Sequence, residues 1–241
     1  MKNIYLLLIS FLITFSVQSQ RNPESTYMTT FAYKAKDGMV EKFEKAAAKK
    51  TKMFNTEEGN IIITYRVLTG DNAGVYERYL VNQKASSYDR DASKELKYWA
   101  DNVAPYADAV GGQQRWSLYE GLNIGSGSKK YLQKRIFVIK QGMDEHVLKF
   151  LWRQGKVLEK WNLNAVRRVF RLVSGGNTQV IVVFSLYDSH PWAERDSETT
   201  WEEDYNEMFG RNQQEIDNNR MIKSLRDWGG SQRYTLERVD F

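Results

Sequence analysis

Four arginines recur in matched pairs along this chain. Guanidinium groups are the planar, five-donor cations that proteins use to hold carboxylates and similar anions. Arg66 lies in the run Tyr65-Arg66-Val67-Leu68-Thr69-Gly70, and Arg171 lies in the matching run Phe170-Arg171-Leu172-Val173-Ser174-Gly175. Arg115 and Arg233 form the second pair. They sit in Gly111-Gly112-Gln113-Gln114-Arg115-Trp116-Ser117-Leu118 and in Gly229-Gly230-Ser231-Gln232-Arg233-Tyr234-Thr235-Leu236. Tyr79 and Tyr119 would add phenolic donors to a pocket built on these arginines. The competing reading is structural: Glu77, Glu120 and Glu237 would tie the same arginines into ion pairs that only hold the fold.

Other chemistry is sparse. The two histidines, His146 and His190, show no HxxxH or HxH spacing, so a two-histidine metal site would need carboxylates to complete it. Both read as surface or capping imidazoles. The absence of cysteine excludes disulfides, thiolate metal sites and cysteine nucleophiles together. No cofactor, no metal and no nameable catalytic residue is expected, and whether the protein is an enzyme stays open. The net charge of +5 is spread along the chain. Its densest basic cluster, Lys49-Lys50-Thr51-Lys52, reads as the solvated face of a helix, so nucleic acid is not an expected partner.

The N-terminus has the pattern of a secretory signal peptide over residues 1–19. Lys2 supplies the positive region, Ile4 to Phe15 the apolar core, and Val17 and Ser19 the small residues before a cleavage at Gln20. The apolar run is shorter than the roughly 20 residues that span a bilayer. Export to the periplasm or the extracellular space is therefore expected, with no membrane association after cleavage. A retained anchor and a buried N-terminal helix are the lesser alternatives.

The elements that must carry the arginines appear twice. Lys36-Asp37-Gly38-Met39 is echoed by Lys140-Gln141-Gly142-Met143, in the same order as the two arginine-bearing landmarks. Repeats of this kind mark stacked or duplicated units. In the first copy, residues 20–124, Tyr27 to Lys34 reads as a strand and Val40 to Asn55 as a helix. Asn60 to Thr69 and Gly74 to Asn82 form a hairpin, Ser93 to Val110 is a second helix broken at Pro105, and Gln113 to Gly121 is a last strand. Residues 125–128 (Gly-Ser-Gly-Ser) form a linker. The second copy, residues 129–241, repeats the order with a longer helical region from Trp192 to Trp228. That region opens with Glu194, Asp196, Glu198, Glu202, Glu203 and Asp204 and carries Trp192, Trp201 and Trp228.

The expected fold class is α+β: two tandem ferredoxin-like β-α-β-β-α-β repeats with their sheets packed face to face. Strand alternation places Tyr65, Val67, Phe170, Leu172, Trp116, Leu118, Tyr234 and Leu236 on one face and the arginines on the other. The more apolar face is expected to pack on helices. Arg66, Arg171, Arg115, Arg233 and Tyr119 would then face the space between the sheets.

The duplication and element order, across nearly all of residues 20–241, resemble the dimeric α/β-barrel superfamily. It includes antibiotic-biosynthesis-type monooxygenases, NIPSNAP-like proteins, chlorite dismutases and dye-decolourising peroxidases. The resemblance implies two sheets around a central cavity, and no family signature accompanies it. The gross layout looks most like chlorite dismutase, whose members hold haem through one histidine with an arginine on the far side. Neither His146 nor His190 has neighbours that mark such a ligand, so haem is not expected. Three readings follow: an exported protein binding a small anionic ligand between the sheets; a cofactor-free monooxygenase-like enzyme whose substrate itself reacts with oxygen; and a protein-interaction module using residues 192–228. An oligomer fits any of them. Mass spectrometry of the secreted protein is expected to find Gln20 at its N-terminus; a chain retaining Met1 would contradict export by cleavage.

Overall fold

The computed structural model describes residues 25–193 and 198–239. The apolar leader (residues 1–19), Glu194, Asp196 and the side chain of Trp192 lie outside what is described. The first half contains β1 (Tyr27–Ala35), α1 (Val40–Phe54), β2 (Ile61–Val67), β3 (Tyr76–Gln83), α2 (Ser93–Asn102), the short β4 (Ala107–Ala109) and β5 (Gln114–Leu118). The second half contains β6 (Tyr131–Val138), α3 (Asp144–Trp161), β7 (Val166–Ser174), β8 (Val180–Tyr187), α4 (Trp201–Phe209), α5 (Gln213–Ser224) and β9 (Ser231–Arg238). Among the described residues no helix is long and apolar enough to cross a membrane.

Each half orders its strands alike, β5-β1-β3-β2 and β9-β6-β8-β7, all antiparallel. The halves do not simply face each other. β2 pairs with β9 (Val67 opposite Leu236), and β5 pairs with β7 (Trp116 opposite Leu172), so eight strands close into one barrel. Closure leaves no unpaired strand edge in the ring, and β4 hangs outside on β1. Two glycines of the repeated runs sit at these seams with positive φ. A side chain on Gly175 (φ 89°) would begin 2.2 Å from the Gln113 carbonyl, and one on Gly70 (φ 81°) would begin 3.1 Å from the Tyr234 ring. At Gly175 two backbones approach too closely for any side chain, and at Gly70 the Tyr234 ring leaves little room.

The interior of the barrel is apolar. Met28, Tyr65, Val67, Trp116, Phe170, Leu172, Phe184 and Leu236 form one cluster there, with Leu118 and Tyr234 packed against it. This reverses the expected facing of the strands. The set assigned to the helix side fills the barrel, and Arg66, Arg171, Arg115, Arg233 and Tyr119 lie on the outer face. The physical reason is closure: an eight-stranded ring encloses a narrow interior lined by side chains, and burying four unpaired guanidiniums at its centre would cost several kcal/mol each. The outer face carries two further cores, Phe43, Ala47, Tyr76 and Val103 under the first half's helices, and Phe137, Val147, Phe150, Ile181 and Tyr205 under the second's.

The helical region after β8 is two helices instead of one long one, broken at Gly210 (φ 113°). Thr200 caps α4 in a reciprocal pair with Glu203. Asp204 accepts from Lys160 Nζ and Trp161 Nε1 of α3, at 2.9 and 2.6 Å, and these bonds hold its carboxyl down at about 2. Tyr205 donates to Asp217 of α5 at 2.9 Å. Much of this region therefore covers the second half's sheet through α3, although Trp228 beyond it is 93% exposed.

Candidate functional site

The polar chemistry collects on the outer face of the first half. Alternation along β3 turns Glu77, Tyr79 and Val81 inward and Tyr76, Arg78 and Leu80 toward the helices. On α1, Phe43, Ala47 and Lys50 follow at intervals of four and three, so they share one buried stripe. Lys50 is 4% exposed. This corrects the reading of Lys49–Lys52 as a wholly solvated face: the apolar stripe of α1 carries Lys50 inward with it. α2 contributes Glu95 from its first turn, where a carboxylate is favoured by the helix dipole.

These side chains meet around a cavity of about 240 Å³ between the sheet and α1 and α2. Phe31, Tyr33, Ile62, Leu80 and Trp99 supply apolar walls. Glu95 is the hub of the polar wall. Its Oε1 accepts from Lys50 Nζ and from Asn55 Nδ2 (2.9 Å), and its Oε2 accepts from Arg90 Nη2 (2.6 Å). Lys50 also donates to Asn55 Oδ1 at 2.6 Å. Arg78 is 2% exposed. Its Nη2 donates to the Thr51 hydroxyl at 2.6 Å, its Nε has no partner, and its guanidinium lies 4.9 Å from the Trp99 ring centre. Lys50 Nζ stands 5.9 Å from the same ring, so two cations share one aromatic face. Among the described residues Arg78 has no carboxylate within ion-pair distance.

Charge in this pocket does not balance. Lys50, Arg78 and Arg90 face the single carboxylate Glu95. Burial, reinforced by the charge of Arg78, pushes the Lys50 ammonium down to about 8, against the bonds from Glu95 that hold its proton on. Burial pushes Arg78 down to about 10. Burial also opposes ionisation of Glu95, but the hydrogen bonds from Lys50, Arg90 and Asn55 outweigh it and leave the carboxyl below its usual range. Near neutral pH the pocket therefore carries net positive charge beside aromatic surface. On its far side the Thr29 hydroxyl donates to Gln83 Oε1 at 2.6 Å, Tyr88 donates to the same oxygen at 3.1 Å, and the Arg115 guanidinium lies 3.1 Å from the Tyr88 ring centre.

The residues singled out in the sequence are scattered. Arg115 alone reaches this pocket, at its rim through Tyr88. Arg66 stands over the first half's sheet, 3.9 Å from Glu237. Arg171 lies 3.8 Å from Asp144 at the start of α3, near the half-buried Tyr119. Arg233 sits opposite Arg135 on β6. Tyr79 is inside the barrel and donates to Glu77, which pairs with Lys134 at 2.8 Å. His190 packs against Tyr131, ring centres 4.5 Å apart, and among the described residues no cluster of acids and histidines could hold a metal. The signal for Lys50 was present in the spacing from Phe43 and Ala47. Arg78 and Glu95 carried no comparable sign, because their meeting depends on how α2 lies over β3.

No protein-family model matches the sequence, and no curated protein does. Solved structures match in fold. A protein of Fusobacterium nucleatum named as a candidate monooxygenase aligns with TM-score 0.61 and 9% identity, over 90% of this chain and 93% of the other. A candidate monooxygenase of Lactobacillus acidophilus aligns with TM-score 0.56 and 12% identity, over 89% and 94%. An anthrone oxidase-like protein aligns with TM-score 0.55 and 13% identity, over 91% and 93%. The fold is the closed antiparallel α+β barrel shared with these structures. At these identities the likeness establishes the fold and leaves the chemistry to the site.

The Lys50 shift has a definite sign. In the unfolded chain a lysine titrates near 10.4, and in the fold it titrates lower. The native state is penalised while Lys50 is charged, below about pH 8, and the penalty fades as pH rises toward the unfolded value. Unfolding free energies measured by urea titration from pH 7.5 to 9.5 are expected to rise more steeply in wild type than in Lys50→Met. Parallel curves would show that Lys50 is not desolvated as described.

Proposed function

We propose that this protein binds a small, compact aromatic or enolisable acid in the first half's pocket and holds it there as its anion. The observation that carries the reading is the charge imbalance: Lys50, Arg78 and Arg90 converge on one cavity, and among the described residues lining it Glu95 is the one carboxylate. A planar anion would take donors from Arg78 and Lys50 and stack against Trp99 and Tyr33. This relocates the anion site expected between the sheets to the layer between sheet and helices. Export by the leader at residues 1–19 remains part of the proposal, supported by the sequence pattern alone.

A second reading is favoured by one observation. Lys50, pushed down to about 8, holds a minor fraction of free amine near neutral pH. That amine could accept a proton from a bound enolisable substrate, and the neighbouring cations would stabilise the resulting anion. Oxidation of such an anion by dioxygen is the chemistry of a cofactor-free monooxygenase. The fold likeness to proteins named as candidate monooxygenases supports this only distantly.

The test is a thermal-shift and calorimetric screen of hydroxybenzoates and related phenolic acids, with oxygen-electrode assays on anthrone. At least one aromatic acid is expected to raise the melting temperature of wild type by several degrees, and Arg78→Met is expected to weaken its binding about tenfold or more, the cost of a lost charged hydrogen bond. Binding that survives Arg78→Met unchanged would contradict the site. Oxygen uptake with anthrone that is lost in Lys50→Met would favour the second reading over simple binding.

A further inference from the structure

A second cavity, of about 260 Å³, lies inside the barrel and shares no residue with the pocket above. Its walls are Ile63, Val81, Leu132, Phe170, Phe184 and Leu186, with the rings of Tyr65 and Tyr79. Both phenols are engaged elsewhere: Tyr65 donates to the Lys129 carbonyl at 3.0 Å, and Tyr79 donates to Glu77. Glu77 is in turn matched by Lys134. Both phenols are thus satisfied from within; most of the wall is apolar, and Thr26, Asn82 and Ser128 complete it.

One lining group is charged. Arg168, on the inward face of β7, is half-buried and also lines this cavity. Among the described residues its guanidinium donates to backbone carbonyls alone, those of Ile124 (2.9 Å), Arg167 (2.7 Å) and Gly125 (2.8 Å). Among the described residues no carboxylate lies within ion-pair distance of it. The three carbonyls fix the orientation of the guanidinium without neutralising it. Burial lowers its pKa only from a very high starting value, so the group stays cationic. A mostly apolar chamber with one fixed cation is complementary to an apolar molecule with one anionic head.

We propose that the barrel interior is a separate binding site for an amphipathic monocarboxylate, with the carboxylate on Arg168 and the chain between the two halves. A water-sized group takes up about 30 Å³, so the cavity holds roughly eight to ten chain carbons. An eight-stranded barrel is the size that accommodates one small ligand of this kind.

The experiment is isothermal titration of the purified protein with octanoate, octanol and octylammonium. Octanoate is expected to bind saturably at one site, and octylammonium not to bind. Arg168→Gln is expected to weaken octanoate about tenfold while changing octanol less than about twofold, because only the head group is lost. Arg78→Met, in the other pocket, is expected to leave octanoate binding unchanged. Failure of octanoate to bind, binding indifferent to Arg168→Gln, or binding lost in Arg78→Met would each overturn the proposal. The last would place the chain in the outer pocket, and the first two would leave the aromatic-acid reading untouched.

Discussion

The two antiparallel seams, β2 with β9 and β5 with β7, decide where charge can reside in this molecule. Once they close the ring, the inward face of all eight strands becomes a confined, largely dry volume. Tyr65, Phe170, Trp116 and Leu236 line it. The charges that remain there are the mutually satisfied Glu77–Lys134 pair and Arg168. The outer faces must then carry most of the polar residues of the strands, under helices that cover them incompletely. The seams themselves rest on Gly70 and Gly175, where a side chain would collide with the partner strand.

The layer under α1 and α2 uses that arrangement differently from its counterpart under α3. In the second half the acids of α4 and α5, Asp204 and Asp217, are each met by a cation of α3, Lys160 and Arg153. Those ion pairs read as structural. In the first half the cations outnumber the acids, and Arg78 is buried with a hydroxyl and a tryptophan face for company. Burying a charge without a counter-charge is destabilising, and a fold keeps such a group where something other than stability requires it. Among the described residues the second half also buries an unpaired arginine, Arg167 under α3, but the cavity beside it measures only about 20 Å³. The basis for placing the ligand in the first half is that its unpaired cation faces an aromatic-walled cavity of about 240 Å³.

Much of the architecture was legible in the sequence. The repeated runs located the strands, the Gly-rich segments located the turns, and the longer stretch from Trp192 to Trp228 located the added helical region. The facing of the strands was not legible. Alternation separates two sets of residues on each strand, but in this fold both faces are covered, one by the opposite half and one by helices. Hydrophobicity alone could not say which set turned inward, and the arginines were assigned to the wrong side. The pocket was hidden for a related reason. Lys50 could be placed on a buried stripe from Phe43 and Ala47, but its meeting with Glu95 and Arg78 joins residues from α1, α2 and β3 whose packing no local pattern encodes.

On the proposed site, Arg78 is held for a ligand, and its contacts with Thr51 and Trp99 bring the fold no net gain in stability. The most direct measurement is the urea-unfolding free energy of Arg78→Met against wild type, both without ligand. Methionine keeps the apolar contact with Trp99 and removes the uncompensated charge, so the variant is expected to be as stable as wild type or more so. A loss of several kcal/mol, of the size seen when a paired buried charge is broken, would make Arg78 a structural residue and remove the reason for reading the pocket as an anion site.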